Sequence, residues 1–185
     1  MQCSRDPMIA LMKGIMDWSR AESGVKSKDL LAEKREQWVK FREDQILPLV
    51  RDVHKAVKAK SPDLVLTSSS GVGPQQTYGI YRNGGDWLVE NINDHLFPMN
   101  YTTDPVDLVD ILDEQETHTP KGMKERIYSG IKLYTVRGGQ AVSNDPEIIE
   151  KQLLLVQKNN YHGFCLFSAQ NLSDGIIEVV KKFSK

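Results

Sequence analysis

Leu64-Val65-Leu66-Thr67, His95-Leu96-Phe97-Pro98-Met99, Ile127-Tyr128-Ser129-Gly130-Ile131 and Gly163-Phe164-Cys165-Leu166-Phe167 are four short apolar runs in a polar chain. With Leu64, Leu96, Ile131 and Cys165 as markers, they recur at spacings of 32, 35 and 34 residues. A strand, loop, helix and loop need about 30 residues, and parallel strands need a crossover helix between them. The runs read as continuous apolar stretches rather than strict alternation, which is the pattern of strands covered on both faces.

Helical patterns fill the intervals. Ile46, Leu49, Val50, Val53 and Val57 fall at helical spacing after Trp38 and Phe41, predicting a helix from about Leu31 to Lys60 that Ser61-Pro62-Asp63 ends. Val106, Leu108, Val109 and Leu112 predict a short helix after the second run. Ser143-Asn144-Asp145-Pro146-Glu147 is a helix start, with a capping residue, an early Pro and an acid in the first turn. Asn159-Asn160 ends that helix, and Ser173 or Asp174 caps a last one carrying Ile176, Ile177, Val179, Val180 and Phe183. Alternating βα units define an α/β fold with a parallel sheet. Two architectures satisfy the rhythm: four of the eight units of a (β/α)8 barrel, or a small doubly wound sheet. Residues 1–34 carry no strand pattern and read as a loop with short helices. Residues 35–185 are expected to form the α/β domain, a partial barrel on the first of these architectures.

The bulk numbers bound the function. The 185 residues carry 24 Lys plus Arg against 25 Asp plus Glu, a net charge of −1. Such balance gives no drive toward nucleic acid, an anionic membrane or a polyanion, and little repulsion between copies. No run approaches the roughly 18 apolar residues of a membrane span. The first residues, MQCSRDPMIALMKGIMDW, lack the basic segment and cleavage site of an export signal. Cys3 and Cys165 lie at opposite ends without a CxxC or Cys/His cluster, and Cys165, inside an apolar run, is expected to be buried and inert. No metal-ligand cluster, HExxH or GxSxG occurs, and His95 and His162 precede strands, at the wrong end for a site. No metal or cofactor is expected.

In parallel α/β folds the site lies at the carboxyl ends of the strands. There stand Ser68-Ser69-Ser70-Gly71, Asn100-Tyr101-Thr102, Lys132-Leu133-Tyr134-Thr135 and Ser168-Ala169-Gln170-Asn171. Amides and hydroxyls for sugar oxygens, with aromatic faces for sugar C–H surfaces, make the set suited to a glycan; turn and capping chemistry is the alternative for any one of them. Glycoside hydrolysis needs two carboxylates flanking the bond. No Asp or Glu ends any of the four runs; the nearest, Asp86 and Asp104, have helix capping as their explanation. Gly71-Val72-Gly73-Pro74-Gln75-Gln76 follows a strand as a dinucleotide loop would, but Gln76 replaces the third Gly and Pro74 removes an amide.

Four blocks carry a family resemblance. Trp38 to Ile46 with Val57-Lys58-Ala59-Lys60-Ser61-Pro62-Asp63 resembles W-x-x-F-R-x-x-Q-I and V-K-x-x-x-P-D of the glycosyl-hydrolase-like family ten. Asp86-Trp87-Leu88 with Phe97-Pro98-Met99-Asn100-Tyr101-Thr102 is similar to its D-W-L and P-M-N-Y-T block, Ser129 to Tyr134 to its G-I-G-x-Y strand, and Gly163 to Ser168 to its G-F-x-L-F-S strand. The resemblance implies the second half of a (β/α)8 TIM-type barrel in bacterial hydrolases of the cell surface, secreted or in the cell envelope, some acting on peptidoglycan glycan strands. It implies a glycan or oligosaccharide ligand, and Asn100, Tyr101 and Tyr134 as cleft residues, with Ser69 orienting the sugar and Trp87 stacking on it or packing in the core. The family's acidic D-x-x-R-Y-P strand has no counterpart here, so the catalytic residues are unassigned and a truncated, inactive hydrolase-like domain is expected. A half barrel exposes two strand edges and an apolar face, which predicts a homodimer or poor solubility. Two other functions stay open: a noncatalytic carbohydrate-binding or assembly module, and a nucleotide-binding α/β domain using Gly71 and Gly73.

Overall fold

The computed structural model describes residues 27–73 and 80–183. The chain divides into two compact units, Met1–Arg42 and Glu43–Lys185. A single helix, α1 (Ser27–Lys60), runs through position 34, so the boundary expected there falls within a helix; the rest of the expected N-terminal loop, with Cys3, lies outside the described residues.

In the second unit the elements after α1 are β1 (Thr67–Ser68), α2 (Gly84–Val89), β2 (His95–Leu96), α3 (Pro105–His118), a 3-10 turn at Lys124–Arg126, β3 (Tyr128–Lys132), β4 (Tyr134–Arg137), β5 (Gln140–Ser143), α4 (Pro146–Lys158), β6 (Gly163–Phe167), a 3-10 turn at Ala169–Asn171 and α5 (Asp174–Lys181). Each apolar run thus supplies a strand. β1 pairs with β2 in parallel and β3 with β6 in parallel, and parallel bridges Leu96↔Ile127 and Met99↔Gly130 link the two pairs.

The first strand departs from expectation. Leu64 and Val65 are exposed, and pairing starts at Thr67. Asp94 explains the shift: its Oδ2 accepts from the Leu66 amide at 2.6 Å and from Lys58 Nζ at 3.2 Å, so a carboxylate takes the amide just before the ladder. Arg126 ties down the same region, donating to the carbonyls of Leu88, Asn93 and Asp94 and to the Asn91 side chain.

The helix starts follow local chemistry. Asp104, Asp145 and Ser173 cap α3, α4 and α5, with Pro105 and Pro146 at the first helical positions. Asp86 is not a cap: Asn83 caps α2 and accepts from the Asp86 amide at 3.4 Å. α3 is a full 14-residue helix that runs on to His118, longer than the short helix expected from Val106 to Leu112. The stripe read on α1 is packed only in part: Ile46, Val50 and Val57 are half-buried, while Leu49 and Val53 are exposed.

Leu88, Leu96, Leu108, Leu112, Ile127, Ile131, Ile149, Leu153 and Ile176 form one buried cluster between strands and helices. Along β3 Ser129, Gly130 and Ile131 are buried between half-buried Tyr128 and Lys132, and along β6 Phe164 and Leu166 pack on the cluster. The register sets Gly130 beside Cys165 and Lys132 beside Phe167. On that second face Cys165 and Phe167 are exposed. Cys165 is therefore not the buried thiol expected: the core covers one face of β6, and among the described residues nothing seals the other.

The antiparallel hairpin of β4 and β5 was not anticipated. Gly138 and Gly139, with φ of +57° and +79°, make its two-residue turn, which needs positive φ at both positions.

Candidate functional site

The open face ends at the carboxyl edge of the strands in a group of aromatic rings. Tyr101 follows β2 and lies over Gly130, where an added Cβ would come within 3.4 Å of the ring. The absence of a side chain at Gly130 makes that approach possible; a Cβ there would also meet the Pro98 carbonyl oxygen at 2.6 Å. Tyr101 stacks on Phe167, with centroids 5.3 Å apart and planes 18° apart. Tyr134 lies 6.4 Å from Phe167, and Lys132 Nζ sits 4.7 Å above the Tyr134 ring. Tyr101 is 38% exposed and Phe167 45%, so this platform is open to solvent. Burial first, then Cys165 and Tyr134, raise the Tyr101 pKa, which keeps its hydroxyl neutral and able both to donate and to accept.

The sequence candidates separate on this geometry. Tyr101 and Tyr134 meet on the platform through Phe167. Ser69 follows β1 and is exposed. Asn100 is fully buried: its Nδ2 donates to Ser129 Oγ at 2.9 Å and to Gln115 Oε1 at 3.3 Å, and its Oδ1 accepts from Gln115 Nε2 at 2.7 Å. Its amide is occupied inside the fold, beneath the loop that presents Tyr101. Trp87 is buried in the core at 4% exposure, the packing alternative of its two readings.

Several strand-end polar groups serve the fold. Ser70 Oγ donates to the Arg82 carbonyl at 2.8 Å, Asn144 Nδ2 to the Lys132 carbonyl at 2.8 Å, and Thr135 Oγ1 to Asn144 Oδ1 at 2.8 Å. In the glycine loop Val72 is buried and the Gly71 carbonyl accepts from the Gly84 amide at 3.0 Å, while Pro74, Gln75 and Gln76 lie outside the described residues. Asp104 is held by its cap. Among the described residues no three His, Cys, Asp or Glu side chains gather as a metal site, and no helix is long and apolar enough to cross a membrane.

Phe167 is a platform residue absent from the strand-end set, which included Lys132 without giving it a role. The signal lay in parity: Phe164 and Leu166 share one face of β6, so Cys165 and Phe167 share the other.

Parallel strands joined through helices, with polar and aromatic residues at their carboxyl ends, define an α/β fold, and solved structures share it. The spore cortex-lytic enzyme SleL of Bacillus megaterium is 13% identical with a TM-score of 0.55, covering 83% of this chain and 46% of its own. A chitinase from Chromobacterium violaceum is 15% identical with a TM-score of 0.51, covering 81% of this chain and 62% of its own. The chain thus spans about half the length of one and under two thirds of the other. Comparison with curated proteins gives no match. Residues 16–149 match the family described as Glycosyl hydrolase-like 10, and the chain belongs to that family. The β6 block lies beyond the matched residues.

Proposed function

We propose that this chain is a carbohydrate-binding part of a glycoside hydrolase-like barrel, in which Tyr101, Tyr134 and Phe167 stack on a glycan and Ser69 contacts it from β1. The observation that carries the reading is the exposed aromatic platform at the carboxyl ends of parallel strands, in a chain of a glycosyl hydrolase-like family. Aromatic faces suit the C–H surfaces of a sugar ring, and their stacking costs little side-chain entropy because the rings are already packed on one another.

The four parallel strands act as consecutive staves of a (β/α)8 barrel. Their neighbours follow chain order, and their core lies on one face with Cys165 and Phe167 exposed on the other. A doubly wound sheet would bury both faces. The free strand edges, and the open face away from the platform, are covered by self-association, which makes a homodimer the expected solution form. Asn100 acts as a positioning residue, fixing the turn before Tyr101.

Hydrolysis by this chain alone is not expected. The two carboxylates that the chemistry requires have no counterpart among the described strand ends: Asp104 caps α3 and Asp86 sits in the first turn of α2. Titration of the purified chain with chitin oligosaccharides should show saturable binding without cleavage. Tyr101→Ala and Tyr134→Ala should each weaken it about tenfold, as loss of one stacking face does. Unchanged binding in both variants would remove the platform as the site.

A further inference from the structure

Lys132 ends β3 on the open face, beside Phe167 in register and with its ammonium over the Tyr134 ring. Some cations of this unit have carboxylate partners, Arg51 with Glu90, Lys58 with Asp94, Lys124 with Glu116, Lys181 with Glu178 and Lys182 with Glu150, while Arg126 donates to carbonyl oxygens inside the fold. Lys132 has none among the described residues, and its ammonium lies over the face of Tyr134. The ring holds the ammonium beside the platform without neutralising it. The platform therefore joins stacking faces to one uncompensated positive charge, with no carboxylate among its rings. A neutral sugar would use the rings alone; a sugar bearing a carboxylate would use both, since a charge-assisted hydrogen bond is about twice as strong as a neutral one.

We infer that Lys132 makes the platform selective for acidic glycans, its ammonium pairing with a sugar carboxylate while the ring stacks on Tyr101, Phe167 or Tyr134. The inference rests on the glycan-binding reading of the same platform. It adds the chemical class of the ligand and the residue that selects it.

The test is calorimetric titration of the full chain with a chitin oligosaccharide and with its C6-oxidised form, which differ by the added carboxylates. The oxidised form should bind about tenfold tighter at low salt, and the gap should close as salt rises. Lys132→Gln should erase the preference, bringing the affinities for the two forms together, and Lys132→Arg should retain it. Equal affinity of the unaltered chain for both forms, with binding still lost in Tyr101→Ala, would overturn the role of Lys132 and leave the glycan reading standing. Binding of neither form would overturn both. A preference that survives Lys132→Gln would place the selecting charge elsewhere and also overturn the inference.

Discussion

Asn100 and Tyr101 are adjacent in the chain and face different surroundings: one is sealed in a buried amide pair with Gln115, the other is open on the platform. Replacing Asn100 by Ala would leave Gln115 buried without its partner, a cost of about 1–3 kcal/mol. Urea unfolding should show that loss, and Tyr101→Ala should cost much less stability. Gly130→Ala should also destabilise, by about 1–3 kcal/mol, because the new Cβ would meet backbone rather than a yielding side chain. Asp94 gives a pH signature. Burial pushes its pKa up, but the Leu66 amide and Lys58 outweigh burial and leave the pKa lowered. The folded state then holds that proton less tightly than the unfolded chain. The stabilising contribution is complete above the unfolded pKa and is lost as pH falls through the folded value. Asp94→Asn should lower the urea midpoint at neutral pH and flatten its fall on acidification. Tyr101 and Tyr134 were legible in the sequence because aromatic rings stand out at strand ends. The burial of Asn100 was not, because its partners Gln115 and Ser129 come from α3 and β3, and an amide looks the same paired or free.

The elements were legible wherever apolar periodicity was strong. The four strands, the caps of α3, α4 and α5, and the end of α4 at Asn159 follow from spacing and capping chemistry. The hairpin of β4 and β5 left no hydrophobic signal because all four residues of β5 are exposed. Its Gly138-Gly139 turn was the available mark. A β-branched residue at positive φ is strained by about 1–2 kcal/mol, so Gly138→Val should loosen the hairpin. Hydrogen exchange of the β4 and β5 amides should speed up while that of β3 stays slow; uniform acceleration would mean that the hairpin unfolds with the core. The first strand was misplaced because Leu64 and Val65 have the composition of a strand, while the side chain of Asp94, 28 residues from Leu66, takes the amide that precedes it.

At the scale of the whole molecule, the chain keeps a packed cluster on one face of its strands and leaves Cys165 and Met99 open beyond it, outside the Tyr101 and Phe167 platform. Apolar patches of this kind mark association surfaces. Light scattering should give a mass above the 21.0 kDa of one chain, and Cys165 should react with a thiol reagent more slowly as concentration and association increase. A monodisperse monomer with freely reactive Cys165 would contradict self-association through this face. The spacing of the four runs made the βα rhythm legible, but it could not say what closes the sheet, since periodicity reports which residues want burial and not which chain supplies it. The most direct test of the central claim is native mass spectrometry of the chain incubated with a carboxylate-bearing chitin oligosaccharide. The account predicts a complex whose added mass is that of the intact oligosaccharide and stays so over hours. Shortened oligosaccharides released in solution, or no complex at all, would contradict it.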